Sequence, residues 1–103
     1  MTATASELAL MEVLIGPLKP GNVPLATRYE GTVTQPGFRL EPITLTVLRR
    51  AAELRATTSL RTPDAIHAAT ALVTGCPMFL TNDRRFRAVP GLPVTILDDI
   101  LTP

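Results

Sequence analysis

One stretch of the chain decides the fold: residues 62–83, TPDAIHAATALVTGCPMFLTND. Thr62 and Pro63 are typical of a helix start, with the threonine as N-cap and the proline at the first helical position. The residues that follow are rich in alanine, a strong helix former, and Gly75 is typical of a helix end. The apolar run Met78–Thr81 then predicts a strand that is buried on both faces. A helix that leads into a buried strand is typical of an α/β domain.

The flanking sequence is divided by proline and glycine into further short elements. In the first half, the patterns predict the end of a strand at residues 2–5, a helix capped by Ser6 that runs to about Leu14 or Ile15 and stops at Gly16-Pro17, and a helix at Val23–Val33. A short strand begins at Phe38, and the next helix is capped by Thr44, with Leu45, Leu48, Ala52 and Arg55 on one stripe. A last strand is predicted at Val94–Leu97. Helices outnumber strands and separate them, so we predict a mainly parallel sheet flanked by helices.

Length and composition narrow the class of protein. With 103 residues, a formal net charge of +1 and 46% hydrophobic residues, the chain fits one small folded domain over residues 1–103 and excludes a disordered chain. The lone cysteine, Cys76, excludes an internal disulfide framework and a CxxC zinc site, so we expect a reducing, cytoplasmic setting. No apolar run approaches the roughly 20 residues of a membrane span, so we expect no membrane partner.

Two acidic residues fall where α/β proteins place their functional groups. Asp83 directly follows the predicted buried strand, and Asp64 lies in the first turn of the helix before that strand. A right-handed crossover brings both positions to the carboxyl edge of the sheet. Each has a simpler interpretation as well, because an acid in a first helical turn stabilises the helix dipole and Asn82-Asp83 is a common turn sequence.

Glu12 is the more unusual acid, because it interrupts the apolar run from Leu8 to Ile15. A carboxylate on a helix face that packs against a sheet is costly unless it meets a cation or a donor. Three carboxylates at one edge would repel one another and call for a divalent cation, which for oxygen ligands means Mg²⁺ or Mn²⁺. The spacing alone leaves open whether the three converge.

Three groups of residues together resemble the successive motifs of a known family. They are Ser6-Glu7-Leu8 with Glu12 and Pro17, then Arg61–Ala71, then Phe79–Asp83. In this order and at these distances they look like the motifs of PIN-domain proteins, specifically VapC-type toxins of bacterial toxin–antitoxin pairs, from about Thr4 to Leu101. The resemblance implies a PIN-like fold and a metal-dependent endoribonuclease that cuts RNA with Mg²⁺ or Mn²⁺ and is held inactive by a VapB-like antitoxin.

The resemblance also assigns roles to individual positions. Glu12, Asp64 and Asp83 match acids of the family's metal site and are the expected catalytic and metal-binding residues. Thr81 and Asn82 match its polar positions at the strand end, with a supporting or substrate-facing role.

A cluster of arginines follows Asp83: Arg84, Arg85 and Arg87. These side chains, Arg84 first, are candidates to hold RNA phosphates. A solvated or aspartate-paired cluster is the alternative.

One feature departs from the family's pattern. The family begins with a central strand that ends in an aspartate, usually within Leu-Asp-Thr-Asn, whereas the first aspartate here is Asp64. We therefore expect an N-terminally truncated PIN domain without the opening strand and the first metal-binding acid. Two functions stay open: an Mg²⁺-dependent endoribonuclease, or a catalytically impaired remnant that binds an antitoxin or itself. An uncovered strand edge favours self-association, so a dimer or larger homo-oligomer is expected.

Overall fold

The computed structural model describes residues 3–101, with side chains up to residue 100. Two compact units divide the chain between Ile43 and Thr44. Thr2, which the sequence places in the first strand, lies outside the described residues. The single-domain organisation over residues 1–103 stays a prediction.

The first unit is built from two parallel strands joined through two helices. Its elements are β1 (Ala3–Ser6), α1 (Leu8–Leu18), α2 (Val23–Thr34) and β2 (Phe38–Glu41). Ala3 lies opposite Phe38, and Ser6 lies opposite Glu41. Parallel strands need such a crossover, because a tight turn cannot return the chain in the same direction.

The second unit repeats the parallel pairing at the end of two packed helices. Its elements are α3 (Leu45–Thr57), α4 (Thr62–Thr74), β3 (Phe79–Thr81), a 3₁₀ helix (Arg84–Ala88), β4 (Val94–Ile96) and α5 (Leu97–Leu101). Phe79 lies opposite Val94 in the parallel pair. The predicted α/β class, with parallel strands and flanking helices, is confirmed.

Helix α4 forms the centre of the second unit because one of its faces is made of small residues. Ala65, Ala68 and Ala69 have no exposed surface. Small side chains allow two helices to approach closely, and α3, with its buried Val47 and Leu54, packs against α4. The start of α4, and with it Asp64, is thereby fixed in place.

Helix α1 does not stop where the sequence predicts. It continues through Gly16-Pro17 to Leu18, and Pro17 is buried. Proline removes only the hydrogen bond that its own nitrogen would donate, whereas the N–H of Lys19 still bonds the carbonyl of Ile15 at 3.1 Å. At the other end, the N-cap is Glu7 and not the predicted Ser6, although the Ser6 hydroxyl still accepts a hydrogen bond from the N–H of Leu8 at 3.2 Å.

The buried face of α3 also differs from the predicted stripe. Leu45, Leu48 and Ala52 are exposed, and the buried residues are Val47, Ala51 and Leu54. Both sets have helical spacing, so the sequence pattern alone does not show which of them is buried. The predicted cap Thr44 is confirmed, since its hydroxyl accepts from the N–H of Val47 at 3.2 Å.

Two further predictions around α4 and β3 are wrong. Thr62 is the first residue of α4 rather than its cap, and its hydroxyl accepts a hydrogen bond from Arg55 Nη1 at 2.8 Å. Strand β3 is not buried on both faces, because Leu80 is 52% exposed. A sheet of two short strands leaves one face of Leu80 without a covering layer.

Within residues 3–101, no helix has the length and apolar character needed to cross a membrane.

The end of α4 generates a stability prediction. Gly75 has a φ of 69°, in the left-handed region, and a Cβ there would meet no atom within 4 Å. Gly75→Ala therefore introduces backbone strain without a clash and should lower the free energy of unfolding by about 1–2 kcal/mol. The matched control is Gly31→Ala inside α2, also with open space around the Cβ, which should raise it by about 0.5–1 kcal/mol. The urea concentration at the unfolding midpoint measures the effect of each substitution. Equal shifts of this midpoint in the same direction would contradict the left-handed conformation assigned to Gly75.

Candidate functional site

Two elements of the second unit position a pair of aspartates. Asp64 lies in the first turn of α4, and Asp83 lies two residues beyond the end of β3 and caps the 3₁₀ helix. The Asp83 N–H donates to the Thr81 hydroxyl at 3.1 Å, and the Asp83 carboxylate accepts from the N–H of Arg85 at 3.0 Å. These two local hydrogen bonds fix the turn that presents Asp83.

The guanidinium of Arg85 joins the two aspartates. Its Nη2 lies 2.5 Å from Asp83 Oδ2 and 3.3 Å from Asp64 Oδ2. Its Nε is 3.0 Å from each carboxylate oxygen of Asp83. Oxygens of both acids thus converge on a single nitrogen, across 19 positions of sequence. We call Asp64 and Asp83 the carboxylate pair.

The carboxylate pair is partly open to solvent. The Asp64 and Asp83 side chains are 30% and 31% exposed, and Arg85 is 47% exposed. The side-chain hydrogen bond from Arg85, with help from the Arg85 N–H, lowers the pKa of Asp83 below its ordinary value. The same contact with Asp83 raises the pKa of Arg85. At neutral pH the charged forms of Asp83 and Arg85 are therefore favoured.

The other arginines of the 3₁₀ helix gather around a second acid, Asp99 in α5. Arg84 Nη2 lies 2.9 Å from Asp99 Oδ1, and Arg87 Nη2 lies 3.1 Å from Asp99 Oδ2. Contact with Arg84, and then with Arg87, lowers the pKa of Asp99. The structure shows Arg84 and Arg87 paired with an aspartate, and their contact with RNA phosphates stays a prediction.

Thr81 and Asn82 both act within the chain. The Thr81 hydroxyl holds the turn at Asp83, and the Asn82 side-chain oxygen accepts a hydrogen bond from the N–H of Asp98 at 2.9 Å. Asn82 thereby ties the end of β3 to the start of α5. Their predicted supporting or substrate-facing role in the site stays a prediction.

Glu12, the third predicted acid, belongs to the first unit, where it lies on α1 and is exposed. Among residues 3–101, no three histidine, cysteine, aspartate or glutamate side chains are gathered to hold a metal ion. The structure brings together Asp64 and Asp83, and the participation of Glu12 stays a prediction.

The carboxylate pair has the donor chemistry of a divalent cation site. Mg²⁺ takes oxygen ligands, and proteins usually hold it with one or two carboxylates while water completes the octahedron. Mn²⁺ accepts the same ligands. Two half-exposed carboxylates that already converge on one positively charged group fit this requirement. Asp64 and Asp83 are thus the residues that would hold the ion.

The sequence of the chain matches the family described as PIN domain over residues 2–92. The chain belongs to the PIN domain family. The matched part of this PIN domain contains the carboxylate pair, Glu12 and all three arginines of the 3₁₀ helix, and it ends before Asp99.

One solved structure shares the fold of this PIN domain. It is described as a toxin-antitoxin complex from Klebsiella pneumoniae, with a TM-score of 0.71 and 27% sequence identity over 87% of this chain and 69% of that chain. No curated protein matches the sequence of this chain significantly.

Sequence reasoning missed two functional contacts of this PIN domain. An aspartate-paired arginine cluster was one of the alternatives, but the bridge that Arg85 makes between Asp64 and Asp83 was not predicted. Asp99 was not singled out, although it lies in the first turn after β4, where acids at the carboxyl edge of a parallel sheet are worth attention.

The Asp99 contacts predict a titration. Because Arg84 is the main cause of the lowered pKa of Asp99, Arg84→Gln should raise that pKa towards 3.8, and Arg87→Gln should raise it less. A carboxyl group with a depressed pKa contributes stability above its ordinary pKa, and that contribution is lost as the pH falls through the depressed value. Carbon NMR of the Asp99 carboxyl measures the effect. Arg50→Gln, which removes an arginine paired with Glu53, is the control. An Asp99 pKa that Arg84→Gln leaves unchanged contradicts the assignment.

Proposed function

We propose that this PIN domain is a VapC-type toxin of a toxin–antitoxin pair that cleaves RNA in the presence of a divalent cation, Mg²⁺ or Mn²⁺. The observation that carries the proposal is the convergence of Asp64 and Asp83 on one positively charged group at the end of a parallel strand. Membership of the PIN family and the likeness to a toxin-antitoxin complex support it.

The carboxylate pair would hold the cation, with Glu12 of the first unit as the proposed third ligand. When bound, a divalent cation supplies a Lewis acid that activates water as a nucleophile and neutralises charge on a phosphodiester. Asp83 suits the role of ligand rather than proton donor, because its lowered pKa favours the charged carboxylate at neutral pH. The half-exposed position of both acids leaves room for a polymeric substrate.

RNA is the proposed substrate because several arginines follow Asp83 closely in the chain. Three arginines fall within the five residues of the 3₁₀ helix, Arg84–Ala88. Asp99 pairs with both Arg84 and Arg87, and Asp98 also acts on Arg84, so an RNA phosphate would replace these acids as the partner of the two arginines. A guanidinium binds phosphate oxygens in a bidentate fashion, so these side chains would orient the backbone of RNA without reading its sequence.

The proposed partner is a VapB-like antitoxin, and the proposed compartment is the cytoplasm, where RNA is available. Support for the partner comes from the solved toxin-antitoxin complex that shares the fold. Self-association into a dimer or larger homo-oligomer stays a prediction, and light scattering of the purified chain tests it directly.

The nuclease proposal predicts the effect of replacing either member of the carboxylate pair. Purified chain should cleave RNA only when Mg²⁺ or Mn²⁺ is added, and Asp64→Asn or Asp83→Asn should lower the rate by at least about 100-fold, since loss of a ligand should exceed the 10–100-fold cost typical of losing an outer-shell partner. The matched acid-to-amide control is Glu53→Gln, because Glu53 pairs with Arg50 on the exposed surface of α3. It should cleave at the wild-type rate.

Cleavage by Asp64→Asn at the wild-type rate would contradict the proposed role of the carboxylate pair. No cleavage by any of the proteins with either cation would contradict the nuclease proposal for this chain and leave the impaired-remnant alternative. Glu12→Gln in the same assay decides whether Glu12 contributes, since a ligand should show a loss similar to that of Asp64→Asn.

A further inference from the structure

Arg85 occupies the position between Asp64 and Asp83. Its Nη2 contacts Oδ2 of both acids, at 3.3 and 2.5 Å, and its Nε contacts both oxygens of Asp83 at 3.0 Å. We propose that the Arg85 guanidinium and a divalent cation are alternative occupants of the carboxylate pair, so that the cation binds only when the guanidinium leaves. This inference rests on the proposed function, because it takes the pair to be the cation site.

Space and charge both exclude joint occupancy. A cation such as Mg²⁺ lies about 2.0–2.1 Å from each of its oxygen ligands. An ion that bonds Oδ2 of both acids would therefore fill the volume where Nη2 now lies. A guanidinium held beside that ion would also place two positive charges within a few ångströms of each other, with little shielding between them.

The structure gives the guanidinium freedom to move. Arg85 is 47% exposed, and ion pairs with this degree of exposure are weak and easily exchanged for water. The backbone N–H of Arg85 donates a separate hydrogen bond to the Asp83 side-chain oxygen Oδ1 at 3.0 Å, and this bond does not involve the guanidinium. The side chain can therefore swing away while the turn that presents Asp83 stays formed.

Competition of this kind sets the cation concentration at which the site fills. Without the cation, Arg85 neutralises the repulsion between Asp64 and Asp83. With the cation, the same charge is released beside the site. Each binding event therefore includes the loss of the Arg85 contacts, which lowers the apparent affinity for the cation.

Arg87 provides a matched control because it lies on the same 3₁₀ helix, is 54% exposed and pairs with Asp99 instead. The experiment measures Mn²⁺ binding to the full chain by titration calorimetry, with free Mn²⁺ checked by electron paramagnetic resonance. Arg85→Gln should bind Mn²⁺ about 3- to 10-fold more tightly than the wild type, because it loses two exposed ion pairs, to Asp64 and to Asp83. Arg87→Gln should stay within about 2-fold.

Two further measurements separate competition from a simple change of charge. Arg85→Lys keeps the charge but loses the forked contact, so it too should bind Mn²⁺ more tightly than the wild type. In the wild-type chain, addition of diamagnetic Mg²⁺ should shift the Nε–H NMR signal of Arg85, as that group leaves Asp83, and should leave the signal of Arg84 in place. Thermal unfolding without cation checks that each variant is folded, and if Arg85→Gln is not, Arg85→Lys takes its place.

The outcomes distinguish this inference from the proposed function. If the wild type binds Mn²⁺ and both Arg85 variants bind it no more tightly, the competition is overturned and the cation site stands. If neither the wild type nor the Arg85 variants bind Mn²⁺, the cation site and the competition are both overturned. If affinity rises in the Arg85 variants and the Arg85 signal moves with Mg²⁺, both are supported.

Discussion

The alanine face of α4 is the constraint on which the second unit depends. Ala65, Ala68 and Ala69 are completely buried, and larger side chains at these positions would overpack the unit and displace its neighbouring elements. Close packing fixes where α4 begins and therefore where Asp64 lies. The left-handed Gly75 then ends the helix and sends the chain towards β3, at the end of which Asp83 follows. One packed helix thus controls both members of the carboxylate pair.

The electrostatics of the site follow from that placement. Two acids held near each other need a positive charge, and in this chain Arg85 supplies it from two residues beyond Asp83. The contact lowers the pKa of Asp83 and raises that of Arg85, so both are held in the forms that attract. A site balanced in this way is ready for another cation of higher charge, which links the geometry to the metal-dependent chemistry proposed for this PIN domain.

Local patterns predicted most of the elements, and long-range contacts account for what they missed. The proline and glycine residues predicted the bounds of α2, α4 and the four strands closely. The crossover rule predicted that Asp64 and Asp83 lie at one edge of the sheet. The predictions for the end of α1 and for the buried face of α3 were wrong. In both cases the local sequence allows two structures about equally well, and tertiary packing decides between them. The bridge from Arg85 to Asp64 spans 21 residues and depends on a side-chain conformation, which no sequence period encodes.

The most direct test of the account is the position of a cation in a crystal of the chain soaked in Mn²⁺, located by anomalous diffraction. We expect an anomalous peak in contact with carboxylate oxygens of both Asp64 and Asp83, with the Arg85 guanidinium turned away from them. A peak elsewhere, or Arg85 still bridging the two acids at a saturating Mn²⁺ concentration, would contradict it.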